Sequence, residues 1–249
     1  MALLKLAFAR EVARPMLAMG FASAVCVGLV VARVAWTRNI DYFFLIWNLF
    51  LAWLPLVPAL LAVEYRRRHL WLDWRLAVLS GAWLILFPNA PYIFTDIIHL
   101  NRGFQAHFWV DLALFLSCAF TGLVLGFVSL YLMQSVVREM YGPRRSWCFV
   151  ALVAALSGLG IYLGRFLRFN SWDIILRPVE LSRSVGKWAA QPLANSHPYA
   201  FPFLFAIFLF ITYLMLYALT HLRQPHSSGG NPSPPVTADP AVNDPISSR

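Results

Sequence analysis

Six blocks of roughly 20 apolar residues, joined by short polar connectors, constrain this chain more than any other feature. They run over 17–36, 43–63, 76–95, 108–132, 147–166 and 199–219. A helix of that length matches the hydrocarbon thickness of a bilayer, and it satisfies its own backbone polar groups there. Composition agrees. The 249 residues are 60% hydrophobic and 12% charged, whereas a soluble domain averages about 45–50% and about 25%. The expected fold class is all-α: a polytopic membrane bundle of about six transmembrane helices, occupying residues 1–222, with the lipid bilayer as its first partner.

The net charge of +9 does not point to nucleic acid, because the charges lie between hydrophobic blocks rather than on a polar domain. They suit membrane orientation and contact with anionic headgroups. Counted over alternate connectors, one side of the bundle carries eleven Lys and Arg and the other eight, half of the eight in the long 167–198 loop. The expected localisation is the plasma (inner) membrane, with both termini cytoplasmic. Lys5, Arg10 and Arg14 precede a first block too long for a cleaved signal, so it is read as a retained helix. Cys26, Cys118 and Cys148 sit in apolar runs without a CxxC pattern and are read as buried thiols. Residues 223–249 are rich in Pro, Ser and Gly and lack apolar periodicity, and a disordered cytoplasmic tail is expected there.

Two prolines, Pro55 and Pro58, should kink the second span, and Pro88 and Pro91 should break the third. After that break Asn89 is placed to cap a half-helix. At 100° per residue Asn89, Tyr92, Asp96 and His99 then share one face. Asp111 opens the fourth span, and Arg165, Arg168, Asn170 and Asp173 follow the fifth. All fall at what is expected to be the extracytoplasmic end. Ionisable groups at membrane depth face the bundle interior, pair with one another or serve a site. Asp96 and His99 are the candidate acid/base pair. Asn89, Tyr92, Asp111, Arg165, Arg168, Asn170 and Asp173 are the candidate substrate-binding residues, with the two arginines suited to an anionic head. The same arginines have a purely structural reading, in which Arg165 neutralises Asp96 or Asp111 across helices.

Gly122 with Gly126, and Gly160 with Gly164, form small-residue faces that permit close approach. Asp96-x-x-His99 and His107-x-x-x-Asp111 put two potential ligands on each of two helices. That spacing is not diagnostic, and neither a metal nor another cofactor is expected. No GxSxG, P-loop or GxGxxG occurs. Residues 178–188 place Leu181, Val185 and Trp188 on one side, with Glu180 able to pair with Arg183. That pattern is a short amphipathic helix lying on the outer surface.

The stretches FPNAPYIFTDIIHL (87–100), FWVDLALFLSCAFTGLVLGF (108–127) and GIYLGRFLRFNSWDI (160–174) resemble a bacterial family of multi-pass membrane proteins, domain of unknown function 1361. The resemblance implies a polytopic plasma-membrane protein and no particular reaction. It implies that Asn89, Pro91, Tyr92, Asp96, His99, Asp111, Arg165, Arg168, Asn170 and Asp173 belong to the family pattern, and His107 does not. Three functions follow as expectations. The first is a site that binds or modifies an amphipathic, anionic, lipid-linked molecule. The second is a non-enzymatic accessory subunit held by interhelical ion pairs, and the third is a small transporter. Protein partners are not legible in the sequence.

Overall fold

The computed structural model describes residues 10–38, 40–68, 73–102, 107–169, 173–190 and 197–220. Asn170 and the 223–249 tail, named above, lie outside the described residues, as does the side chain of His99. The described residues form helices and no strands. In chain order these are α1 (Arg10–Thr37), α2 (Phe44–Trp53), α3 (Leu56–Arg68), α4 (Trp74–Leu86), α5 (Asn89–Tyr92) and a 3₁₀ segment (Ile93–Arg102). Then follow α6 (Phe108–Tyr141), α7 (Pro143–Phe166), α8 (Asp173–Leu176), α9 (Pro178–Ala189) and α10 (His197–Thr220). Among the described residues six stretches are long and apolar enough to cross a membrane: Pro15–Thr37, Phe44–Arg68, Trp74–Ile98, Phe108–Tyr141, Pro143–Phe166 and Tyr199–Thr220. The chain is an all-α polytopic bundle.

The long α6 is its axis, packing against α1, α2, α3, the α5 break and α7, while α10 lies along α7 and α4 along α3. Leu123, Phe127, Leu130 and Met133 of α6 meet Trp83 of α4 and Phe87, just past its end, in one core. Leu114, Phe115 and Cys118 of α6 meet Leu45 and Leu49 of α2 in another. Cys26 and Cys118 are buried, but Cys148 is exposed on α7, a departure from the expectation of three buried thiols. Its apolar run forms a helix with one face turned outward, so hydropathy alone did not bury it.

Proline shapes the two interrupted spans in the same way. Pro55 has no N–H for the Leu51 carbonyl, and that carbonyl accepts from Leu54 N at 3.2 Å instead. Pro58 likewise leaves Leu54 O to Val57 N at 3.2 Å, so span two continues as α3 after one tightened turn. In span three, Pro91 leaves Phe87 O to Ala90 N at 3.1 Å. Here the chain does not resume an α-helix beyond Tyr92 but tightens into the 3₁₀ segment.

The break is held between glycine faces. A Cβ on Gly126 would stand 2.9 Å from Ala90 Cβ, and one on Gly122 would stand 3.0 Å from the Ala90 carbonyl. On the other side, a Cβ on Gly160 would come within 3.1 Å of the Pro88 ring. These small-residue faces on α6 and α7 therefore seat the proline break as well as permitting helices to approach.

Candidate functional site

The end of span one, the start of two, the end of three, the start of four and the end of five all lie at one end of the bundle. Among the described residues two ion-pair clusters form there. In the first, Arg33 near the end of α1 meets Asp111 in the first turn of α6. Arg33 Nε donates to Asp111 Oδ1 at 2.5 Å, and Nη2 donates to Oδ2 at 3.0 Å. The Tyr42 hydroxyl donates to the same carboxylate at 3.0 Å, and the guanidinium stands 5.5 Å from the Tyr42 ring centroid. Asp111 is 2% exposed. Tyr42 precedes the second span, and burial, followed by the hydrogen bond to Asp111, pushes its phenol up to about 12.

In the second cluster Arg165, in the last turn of α7, faces the 3₁₀ segment. Its Nη2 donates to Asp96 Oδ1 at 3.1 Å and to the Thr95 carbonyl, and its Nη1 reaches the Tyr92 hydroxyl at 3.4 Å. The guanidinium stands 5.3 Å from the Tyr92 ring centroid. Asn48 of α2 donates to Asp96 Oδ2 at 2.6 Å, so both oxygens of this 1% exposed carboxylate are engaged.

The second cluster lines one end of a cleft of about 540 Å³. Phe44, Trp47 and Leu51 of α2 form one wall, and Leu156, Leu159 and Leu163 of α7 form the other. Pro88, Asn89 and Tyr92 of the break line it too, and Leu181 of α9 meets its rim. From Arg165 back to Leu156 is nine helical residues, so the cleft extends about 13 Å along α7. It passes from a polar end to an apolar one.

The expected site residues thus separate. Asn89, Tyr92, Asp96 and Arg165 line one cleft. Asp111 belongs to the other cluster, because Arg33 rather than Arg165 is its partner. Arg168 does not project beside Arg165: α7 ends at Phe166, and Arg168 turns the chain with φ +58° and is exposed. Asp173 is buried at the start of α8. His107 lies 5.0 Å from Trp36, ring to ring. Among the described residues no three His, Cys, Asp or Glu side chains converge as a metal site. Leu181, Val185 and Trp188 of α9 are half-buried and Arg183 and Lys187 exposed, but Glu180 pairs with Arg177 at 3.8 Å rather than with Arg183.

Three participants escaped the sequence analysis, each with a usable signal. Arg33 is an ionisable residue inside an apolar run, counted there as a connector charge. Asn48 is the single amide in the 43–63 block. Tyr42 stands just before it, and only its contact with Asp111 distinguishes it from an interfacial tyrosine.

No curated protein and no solved structure matches the chain. A family model described as "Protein of unknown function (DUF1361)" matches residues 47–214, which include the break, both carboxylates and the cleft lining apart from Phe44. This membrane-helix chain therefore belongs to the DUF1361 family.

Proposed function

We propose that this integral membrane protein binds an amphipathic, lipid-linked molecule in the cleft between α2 and α7. The apolar part lies along Leu156, Leu159 and Leu51, and the polar head sits at Asp96, Arg165, Asn89 and Tyr92. The cleft would open at the extracytoplasmic end of a plasma-membrane protein with cytoplasmic termini. That orientation rests on the basic residues Arg66, Arg67, Arg68, Arg75, Arg138, Arg144 and Arg145 near the opposite end. The observation that carries the reading is the polarity gradient along one cleft, with an ion pair at one end and leucines at the other. Pockets that take small molecules combine mostly apolar walls with a few convergent polar groups.

Leu159→Trp tests it by filling the cleft while leaving both ion pairs alone. The wild-type protein, extracted from its native membranes, should retain a lipid species that mass spectrometry finds depleted in the variant at equal thermal stability. Identical bound lipids in the two proteins would overturn the reading.

The accessory-subunit reading also has an observation behind it, the two-pronged Arg33–Asp111 contact joining α1 to α6. It assigns that cluster a fastening role and makes no use of the cleft.

A further inference from the structure

Resting on the amphiphile reading, the charge balance of the cleft narrows the class of head that fits. Among the described residues that line it, Asp96 and Arg165 are the two that carry charge, and they are bonded to each other at 3.1 Å. An anionic head at the Arg165 guanidinium competes with Asp96, and displacing Asp96 leaves a carboxylate that is 1% exposed without its cation. A cationic head would do the reverse. Either exchange strands a buried charge, which is the costly way to open an ion pair. A neutral head needs no exchange.

The remaining polar groups suit such a head. Asn48 gives one of its two amide N–H groups to Asp96 and keeps its Oδ1 as an acceptor, while the Tyr92 hydroxyl accepts from Arg165 and keeps its own proton to donate. Acceptor and donor groups within the same polar end match a hydroxyl-bearing ligand. The rings of Phe44, Trp47, Tyr92 and Phe169 line the cleft around them, and aromatic faces pack against the C–H faces of a sugar while its hydroxyls bond at the edges. We infer that the cleft takes an uncharged, hydroxyl-rich head, a glycosylated lipid without phosphate at the ion pair.

The test uses the full chain in phosphatidylcholine nanodiscs, with chain-matched alkyl glucoside, alkyl phosphate and alkyltrimethylammonium as probes. Thermal unfolding is read for the wild-type protein and for Leu159→Trp. The expected result is a midpoint raised by the glucoside, on the order of 5 °C at saturation, a smaller shift or none with the charged probes, and no shift in Leu159→Trp. Tyr92→Phe should weaken the glucoside effect about three- to tenfold in affinity. A phosphate or ammonium probe that matches or exceeds the glucoside, with its effect abolished in Leu159→Trp, overturns the neutral head and leaves the amphiphile site standing. Shifts that persist unchanged in Leu159→Trp, or no shift with any probe, overturn the amphiphile site and this inference with it.

Discussion

The two clusters at this end of the bundle use the same parts for different ends. Each sets an arginine from the last turns of an odd-numbered span against a buried carboxylate, and each lays that arginine near a tyrosine ring, at 5.5 and 5.3 Å. Around Arg33 the arrangement is closed. Both hydrogen bonds of its guanidinium go to Asp111, and Tyr42 takes up the same carboxylate. Around Arg165 it is distributed over Tyr92, the Thr95 carbonyl and Asp96, with Asn48 on the far oxygen and a cleft alongside. A guanidinium committed to one partner behaves as a fastener. One shared among several holds a wall in shape while leaving neighbouring polar groups available to a ligand.

The largest effect should come from separating the partners of the closed cluster. Asp111→Ala leaves a mostly buried Arg33, its side chain 11% exposed, with neither of its hydrogen bonds, and a loss of about 3–5 kcal/mol is expected. Thermal unfolding in detergent measures it. Asp96→Asn should cost less, because Arg165 keeps Thr95 and Tyr92 and the new amide still offers an oxygen. A double-mutant cycle sharpens the contrast. Asp111 should couple to Arg33 and be additive with Arg165, and coupling of Asp111 to Arg165 would merge the two clusters into one.

That pairing is what the sequence could not supply. The proline break was legible because its cause is local: Pro88 and Pro91 remove donors wherever they stand. The six spans were legible because hydrocarbon thickness fixes their length. The choice of Arg33 over Arg165 for Asp111 depends on which helices are neighbours and how each is rotated, and hydropathy encodes neither. The face shared by Asn89, Tyr92, Asp96 and His99 assumed 100° per residue throughout. After Tyr92 the chain winds at about 120°, which brings Asp96 into column with the fully buried Ile93 and a third of a turn from Tyr92. Arg165 reaches both because it bridges the step. Arg168 was misplaced for a similar reason, since a helix end two residues earlier removes it from the arginine face.

Tyr42 gives the next effect in size. Tyr42→Phe removes a hydrogen bond to a charged, buried carboxylate, and about 1.5–3 kcal/mol should be lost. The phenol also makes the closed cluster sensitive to alkali. Its ordinary value of 10.0 is raised to about 12 in the fold, so the folded state holds this proton more tightly than the unfolded chain. The stabilisation is complete below pH 10 and fades as the pH rises through 12. Denaturation measured across that range should show wild-type stability falling by a component that Tyr42→Phe lacks. Parallel declines in the two proteins would mean that the phenol does not keep its proton in this cluster.

Arg168→Gly, the smallest change, tests whether the second arginine of the family segment belongs to the cleft. Arg168 holds φ +58°, a left-handed conformation that glycine adopts freely and that costs other residues about 1–2 kcal/mol. Its backbone turn lets Phe169 N–H bond back to the Leu163 carbonyl at 3.2 Å, which presents Phe169 to the cleft. Glycine keeps that turn and removes an exposed guanidinium. Because glycine loses more backbone entropy on folding, the net gain should stay below about 1 kcal/mol, with the lipids retained by the protein unchanged. If the variant is no less stable but sheds its bound lipid, Arg168 acts on the ligand after all, and the open cluster extends past the end of α7.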